Sequence, residues 1–206
     1  MNSNRWANLE SSAKMLLLSN LLTMALAIAF QWSILTLLWG YWLQSVIIGL
    51  FTVVKLLTFG YRNEQGSFLT AVRSTVLFSF HYGIFHVVYL LFLFFFSTSG
   101  ATEFHFKQPD YIGIVFIGVL FFVNHLYSFF KNYVWEKKTI GISTNQIFFE
   151  PYKRIFPMHM TIIAAGFFSV LIPSAEIPLI IVFLLLKTFA DLQSHTILHQ
   201  SDKRFQ

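Results

Sequence analysis

Near its carboxy-terminal end the chain reads "LKTFADLQSH", in which Lys187, Asp191 and His195 follow one another at spacings of four. A helix stacks residues so spaced on one face, here a cation, a carboxylate and an imidazole. Asp191 and His195, as i and i+4, can offer two metal ligands from that face. Four more histidines, His81, His86, His125 and His159, stand in or beside apolar runs. Neutral imidazoles with a carboxylate suit zinc, iron, manganese or copper rather than calcium. The expected site is therefore a transition-metal centre, zinc or iron, ligated by His81, His86, His125, His159, Asp191 and His195. His81 and His86 are about 140° apart around a helix, so one of them is expected to stand behind the other rather than on the ion. Lys187 lies one turn deeper than Asp191. It either pairs with that carboxylate and neutralises it, or faces a substrate as anion holder or proton donor, the one catalytic assignment made here. There is no compact signature such as H-E-x-x-H, so the site is inferred from assembly rather than from a motif.

Two other activities fit the same residues. Histidines from different helices at one depth, such as His81 with His159, would serve as axial ligands of a b-type haem in an electron-transfer subunit. The ionisable cluster would also serve as a relay in an ion- or proton-coupled transporter. If the centre is a metalloenzyme, an activated metal-bound water would suit hydrolysis of a lipid or small amphiphile. Iron or copper would instead suit oxidation of an apolar substrate. The chain has no cysteine, which removes disulfides, thiolate metal sites, iron–sulfur clusters and covalently attached haem.

The elements that must hold these residues are membrane helices. Of the 206 residues, 56% are hydrophobic and 11% charged, against roughly 25% charged in a soluble domain. Apolar runs over 15–30, 33–59, 75–96, 111–130, 156–173 and 177–199 are long enough, or nearly so, to cross a hydrocarbon core of about 30 Å. The expectation is an all-α, polytopic integral membrane protein: one six-helix bundle over 1–206, with no soluble domain. "IFHVVYLLFLFFF" is apolar on every side, whereas barrel strands alternate. The loop 131–155 carries "GISTNQIFFEPYKRIFP", whose Pro151 and Pro157 are expected to bracket a short amphipathic stretch at the interface. Glu150 and Arg154 in it would either cap a cavity or simply lie in a charged interfacial loop.

With both termini cytoplasmic, every lysine and arginine except Lys107 and Lys187 falls on the inside, as the positive-inside rule requires. The net charge of +5 then reports topology and attraction to anionic lipid. Nucleic acid is not expected as a partner, because no basic stripe with interleaved aromatics occurs. The first run is read as a retained span and not a cleaved signal peptide, since its removal would spoil the charge asymmetry. At about 1.5 Å per residue, this topology puts His81 and His125 about 9 Å inside the cytoplasmic surface and His86 near the middle. His159, Asp191 and His195 fall in the same leaflet. Such groups are costly in lipid and normally face the bundle interior. Gln44, mid-way along the second run, is expected to hydrogen-bond across helices.

The segments "YWLQSVIIGLFTVVKL", "FHYGIFHVVYLLFLF", "NHLYSFFKN", "PYKRIFPMHMTIIAAGF" and "LKTFADLQSH" resemble a family of multi-pass bacterial and archaeal membrane proteins of unknown function (domain of unknown function 6498). The resemblance runs from residue 41 to about 199. It implies a prokaryotic cytoplasmic membrane, and that His81, His86, His125, His159, Lys187, Asp191 and His195 hold the family's characteristic polar positions. Where the family often carries an acidic residue this chain has Gln44, which puts any essential charge there in doubt. No activity is implied.

Overall fold

The computed structural model describes residues 11–60, 68–98, 107–131 and 143–171, together with positions 181, 184, 185 and 188. Among these the chain is all-helical. Helix α1 is Ser11–Ala29, α2 is Ile34–Lys55, α3 is Phe68–Ser97, α4 is Tyr111–Phe129 and α5 is Thr144–Leu171. A π-helical turn, Leu56–Gly60, prolongs α2.

Among the described residues three helices are long and apolar enough to cross a membrane: Ile34–Thr58, Phe68–Ser97 and Tyr111–Phe129. Lys14–Ala29 is apolar but shorter. Of the sixth expected span, Ile181, Leu184, Leu185 and Thr188 are helical, and the Thr188 hydroxyl donates to the Leu184 carbonyl (2.8 Å). The remainder of 177–199 lies outside the described residues.

Helix α2 is the hub. Over half of its apolar window is buried (56%), against 28% for α3 and for α4, so the outer helices turn most of their surface outward. Phe80, Val88, Leu91 and Phe94 of α3 and Ile112, Val115 and Val119 of α4 are all exposed. An apolar exterior of that extent is consistent with lipid as solvent.

The buried residues of α3, Ala71, Thr75, Phe78, Tyr82, His86, Tyr89, Leu93 and Phe96, recur every three or four positions and form one seam. That seam lies antiparallel along α2: Trp39 reaches Ser97 near one end, and Gly49 meets Tyr82 further down. Helix α4 runs parallel to α2, with Ile117 against Gly40 and Phe129 against Phe51. Its start is tied down locally. The Asp110 carboxylate caps the Gly113 amide (2.9 Å), and the Asp110 amide donates to the Thr36 hydroxyl (2.8 Å).

Two boundaries differ from expectation. Helix α3 begins at Phe68, seven residues before the expected span, and its 30 residues extend about 45 Å. The loop 131–155 is shorter than expected, because α5 starts at Thr144 and continues through Pro151 and Pro157 as one helix. Proline removes one i→i−4 hydrogen bond. Packing outweighs that loss here: Ile147, Pro151, Ile155 and His159, four residues apart, are all buried on one face. Glu150 therefore belongs to a packed helix and not to a loop.

The close approach of α2 and α3 depends on Gly49, where a Cβ would stand 2.5 Å from Tyr82 Cε1. Gly83 on α3 has open space around it. Gly49→Ala is expected to lower unfolding stability by about 1–3 kcal/mol through overpacking. Gly83→Ala is expected to be neutral, or to stabilise by up to about 1 kcal/mol. Thermal melting of the purified variants in one detergent checks the contrast.

Candidate functional site

The α2–α3 seam is mostly apolar, and near its centre His86 is held from two sides. Its Nδ1 lies 2.8 Å from the Tyr82 carbonyl. A carbonyl only accepts, so Nδ1 carries the proton. Its Nε2 lies 2.8 Å from the Ser45 hydroxyl, which donates to it when the ring is neutral. The same hydroxyl lies 2.9 Å from the Trp42 carbonyl. Ser45 thus has one proton and two acceptors. If Nε2 gains a proton, it donates to the Ser45 oxygen, and the hydroxyl proton turns to Trp42 without any helix moving.

The surrounding bonds fix this geometry. Trp42 Nε1 donates to the His86 carbonyl (3.1 Å), the Tyr82 hydroxyl donates to the Ser45 carbonyl (2.7 Å), and Trp39 Nε1 donates to the Ser97 hydroxyl (2.9 Å). The Tyr82 ring stacks on His86 at 4.2 Å between centroids. Helix α5 adds the second imidazole. His159, 6% exposed, stacks on Tyr89 at 3.9 Å and meets His86 edge-on at 6.0 Å. Among the described residues its position is set by rings rather than by hydrogen bonds.

The expected ligands are therefore distributed. His86 and His159 come together. His81, one position off the buried seam, is exposed, and its Nδ1 is 2.8 Å from the Tyr152 hydroxyl. That pair reaches the centre only through rings, Tyr152 standing 5.9 Å from Tyr82. His125 belongs to a different place: it packs on Phe51 at 6.3 Å and lines a cavity with Lys55 and Glu150. Among the described residues no three histidines or carboxylates group closely enough to hold a metal ion. Asp191, His195 and Lys187 lie outside the described residues, as does the side chain of Arg154.

Gln44 departs from expectation. It is 1% exposed, and neither its amide oxygen nor its amide nitrogen has a hydrogen-bond partner among the described residues. Ser45, Tyr82, Tyr89 and Tyr152 were not singled out from sequence, yet they do most of the holding. The signal is present on α3, where Thr75, Tyr82, His86 and Tyr89 share one face at spacings of seven, four and three.

The chain matches the profile of a Family of unknown function (DUF6498) over residues 2–206, and it belongs to that family. No curated protein and no solved structure matches it.

Proposed function

We propose that this family member is an integral membrane protein whose buried pair, His86 and His159, handles protons as the centre of a proton-coupled transporter or relay. What supports the reading is the bonding of His86. Both ring nitrogens are engaged inside the protein, and the Ser45 hydroxyl can serve either protonation state by rotating between Nε2 and the Trp42 carbonyl. A ring so placed can gain and lose a proton at Nε2 with little rearrangement, which suits proton transfer. Ionisable groups inside membrane helices commonly lie on such paths.

The finer topology belongs to the same reading: six spans in a prokaryotic cytoplasmic membrane, both termini cytoplasmic, with 177–199 bringing Lys187, Asp191 and His195 to the bundle. Charge placement supports it, since that topology would put all but two of the 14 lysines and arginines on one side, as the positive-inside rule requires.

A metal centre is the second reading, and the spacing of the pair favours it. Two imidazoles on one ion, with metal–nitrogen bonds of about 2.0–2.1 Å, place their centroids roughly 5–6.5 Å apart, and His86 and His159 are 6.0 Å apart. Asp191 and His195 would complete the set, His86 would exchange its Ser45 hydrogen bond for the ion, and a zinc or iron ion would supply Lewis acidity toward a lipid or small amphiphile. A b-type haem would use the same pair as axial ligands.

The relay predicts proton flux into proteoliposomes under an imposed potential, read by an internal pH dye. His86→Gln and Ser45→Ala should each slow it on the order of ten-fold or more, the effect of raising a barrier by about 1.4 kcal/mol. The outward-facing Val88→Ala should leave it unchanged. No flux in the wild type, or undiminished flux in His86→Gln, contradicts the relay.

The metal reading predicts near-stoichiometric zinc or iron by elemental mass spectrometry of gently purified protein, lost in His159→Ala. A Soret band would assign haem instead, and a metal content far below one per chain would remove both.

A further inference from the structure

A second polar system lies on a neighbouring face of α2. Lys55 at the end of that helix forms an ion pair with Glu150 of α5 (3.3 Å), and both side chains are largely shielded, at 13% and 27% exposed. Beside the pair is a cavity of about 40 Å³, lined by Ile48, Phe51, Thr52, Lys55, His125, Glu150 and Pro151. A water needs about 10–15 Å³ of such space and two to four polar partners, so the cavity has room for two or three. Its polar partners are at hand. The Thr52 hydroxyl commits its proton to the Ile48 carbonyl (2.9 Å) and is left able to accept. The ammonium, carboxylate and imidazole supply the rest.

The face continues inward. Gln44, Ile48, Thr52 and Lys55 recur at spacings of four, four and three, one stripe along α2 about 16 Å long. At its inner end is the Gln44 amide, whose two polar atoms have no partner among the described residues. On α4, the residue before cavity-lining His125 is Asn124, 4% exposed, whose side-chain oxygen likewise has none. Buried amides left dry cost about 1–3 kcal/mol each, and internal water is the usual partner of such groups.

We infer that the Lys55–Glu150–His125 cavity is the mouth of a water-filled vestibule running along the Gln44–Ile48–Thr52 face of α2 and hydrating the buried Gln44 and Asn124 amides. Its ligand is a short file of water. The vestibule would exist whether or not the imidazole pair handles protons. If the pair does, the vestibule ends one residue from Ser45 and gives the relay a route to solvent.

The absence of cysteine makes the test direct. Single cysteines at Thr52 and Ile48 are compared with Leu50→Cys and Val54→Cys, which lie at similar depth on outward-facing positions (59% and 42% exposed). The protein is held in lipid nanodiscs and treated with 2-aminoethyl methanethiosulfonate. Only a hydrated thiol ionises and reacts, so Thr52→Cys and Ile48→Cys should be modified about ten-fold or more faster than the two controls. Equal rates at all four overturn the vestibule. Fast reaction at Thr52 alone overturns its inward extension and leaves a shallow surface pocket. Should Ile48→Cys fail to fold, Gln44→Cys reports on the same path one turn deeper, at a residue with no hydrogen bond to lose among those described. None of these readings depends on proton flux.

Discussion

An imidazole nitrogen left unmet inside an apolar helix bundle costs several kcal/mol, and at His86 both nitrogens are met. The arrangement of α2, α3 and α5 can be understood from that constraint. The Tyr82 carbonyl, one turn before His86, takes the Nδ1 proton. Ser45 must then come from another helix to meet Nε2, and it can do so only if α2 and α3 approach closely. Gly49 permits the approach by leaving room for the Tyr82 ring, and that ring returns a hydrogen bond to the Ser45 carbonyl. Trp42 closes the unit from the other direction. The order of contacts along the seam follows from these bonds, and α5 then stacks His159 on Tyr89 within reach of His86.

Helix α2 carries two kinds of polarity, at Ser45 and at Gln44, about 100° apart. Ser45 joins a fully bonded unit. Gln44 is buried with its amide unmet among the described residues, and a row of residues four apart winds from it past Thr52, toward the Ser45 side, to an ion pair at the helix end. A bonded unit holds one geometry, whereas unmet amides draw in whatever can satisfy them. A hydrated vestibule, as we propose, would set a path to water one residue from Ser45.

Much of the architecture is legible in the sequence. Uninterrupted apolar runs place α2, α3 and α4 to within a few residues at most ends, because in such segments hydrophobicity alone decides. The early start of α3 is hidden by the local polarity of "FLTAVRS". The first half of α5 is hidden by its polar residues and two prolines, which the packing face formed by Ile147, Pro151, Ile155 and His159 outweighs. Of the candidate site, depth places His81 in the leaflet of His159 and His86 deeper, near the middle, yet it is His86 that meets His159, while His81 and His125 lie apart from them. Depth says nothing about which way a helix turns. Only the three-and-four spacing of the α3 seam distinguishes buried His86 from exposed His81. The expected lysine–aspartate–histidine stripe at 187–195 falls outside the described residues.

The bonding state of His86 can be read by nitrogen-15 solid-state NMR of histidine-labelled protein in bilayers, with the His86→Gln variant assigning the resonance. A neutral ring is expected, its proton on Nδ1 and its Nε2 bare and hydrogen-bonded, acquiring a second proton at Nε2 on acidification. A ring carrying its proton on Nε2 with Nδ1 bare, unaffected by Ser45→Ala, would overturn the arrangement.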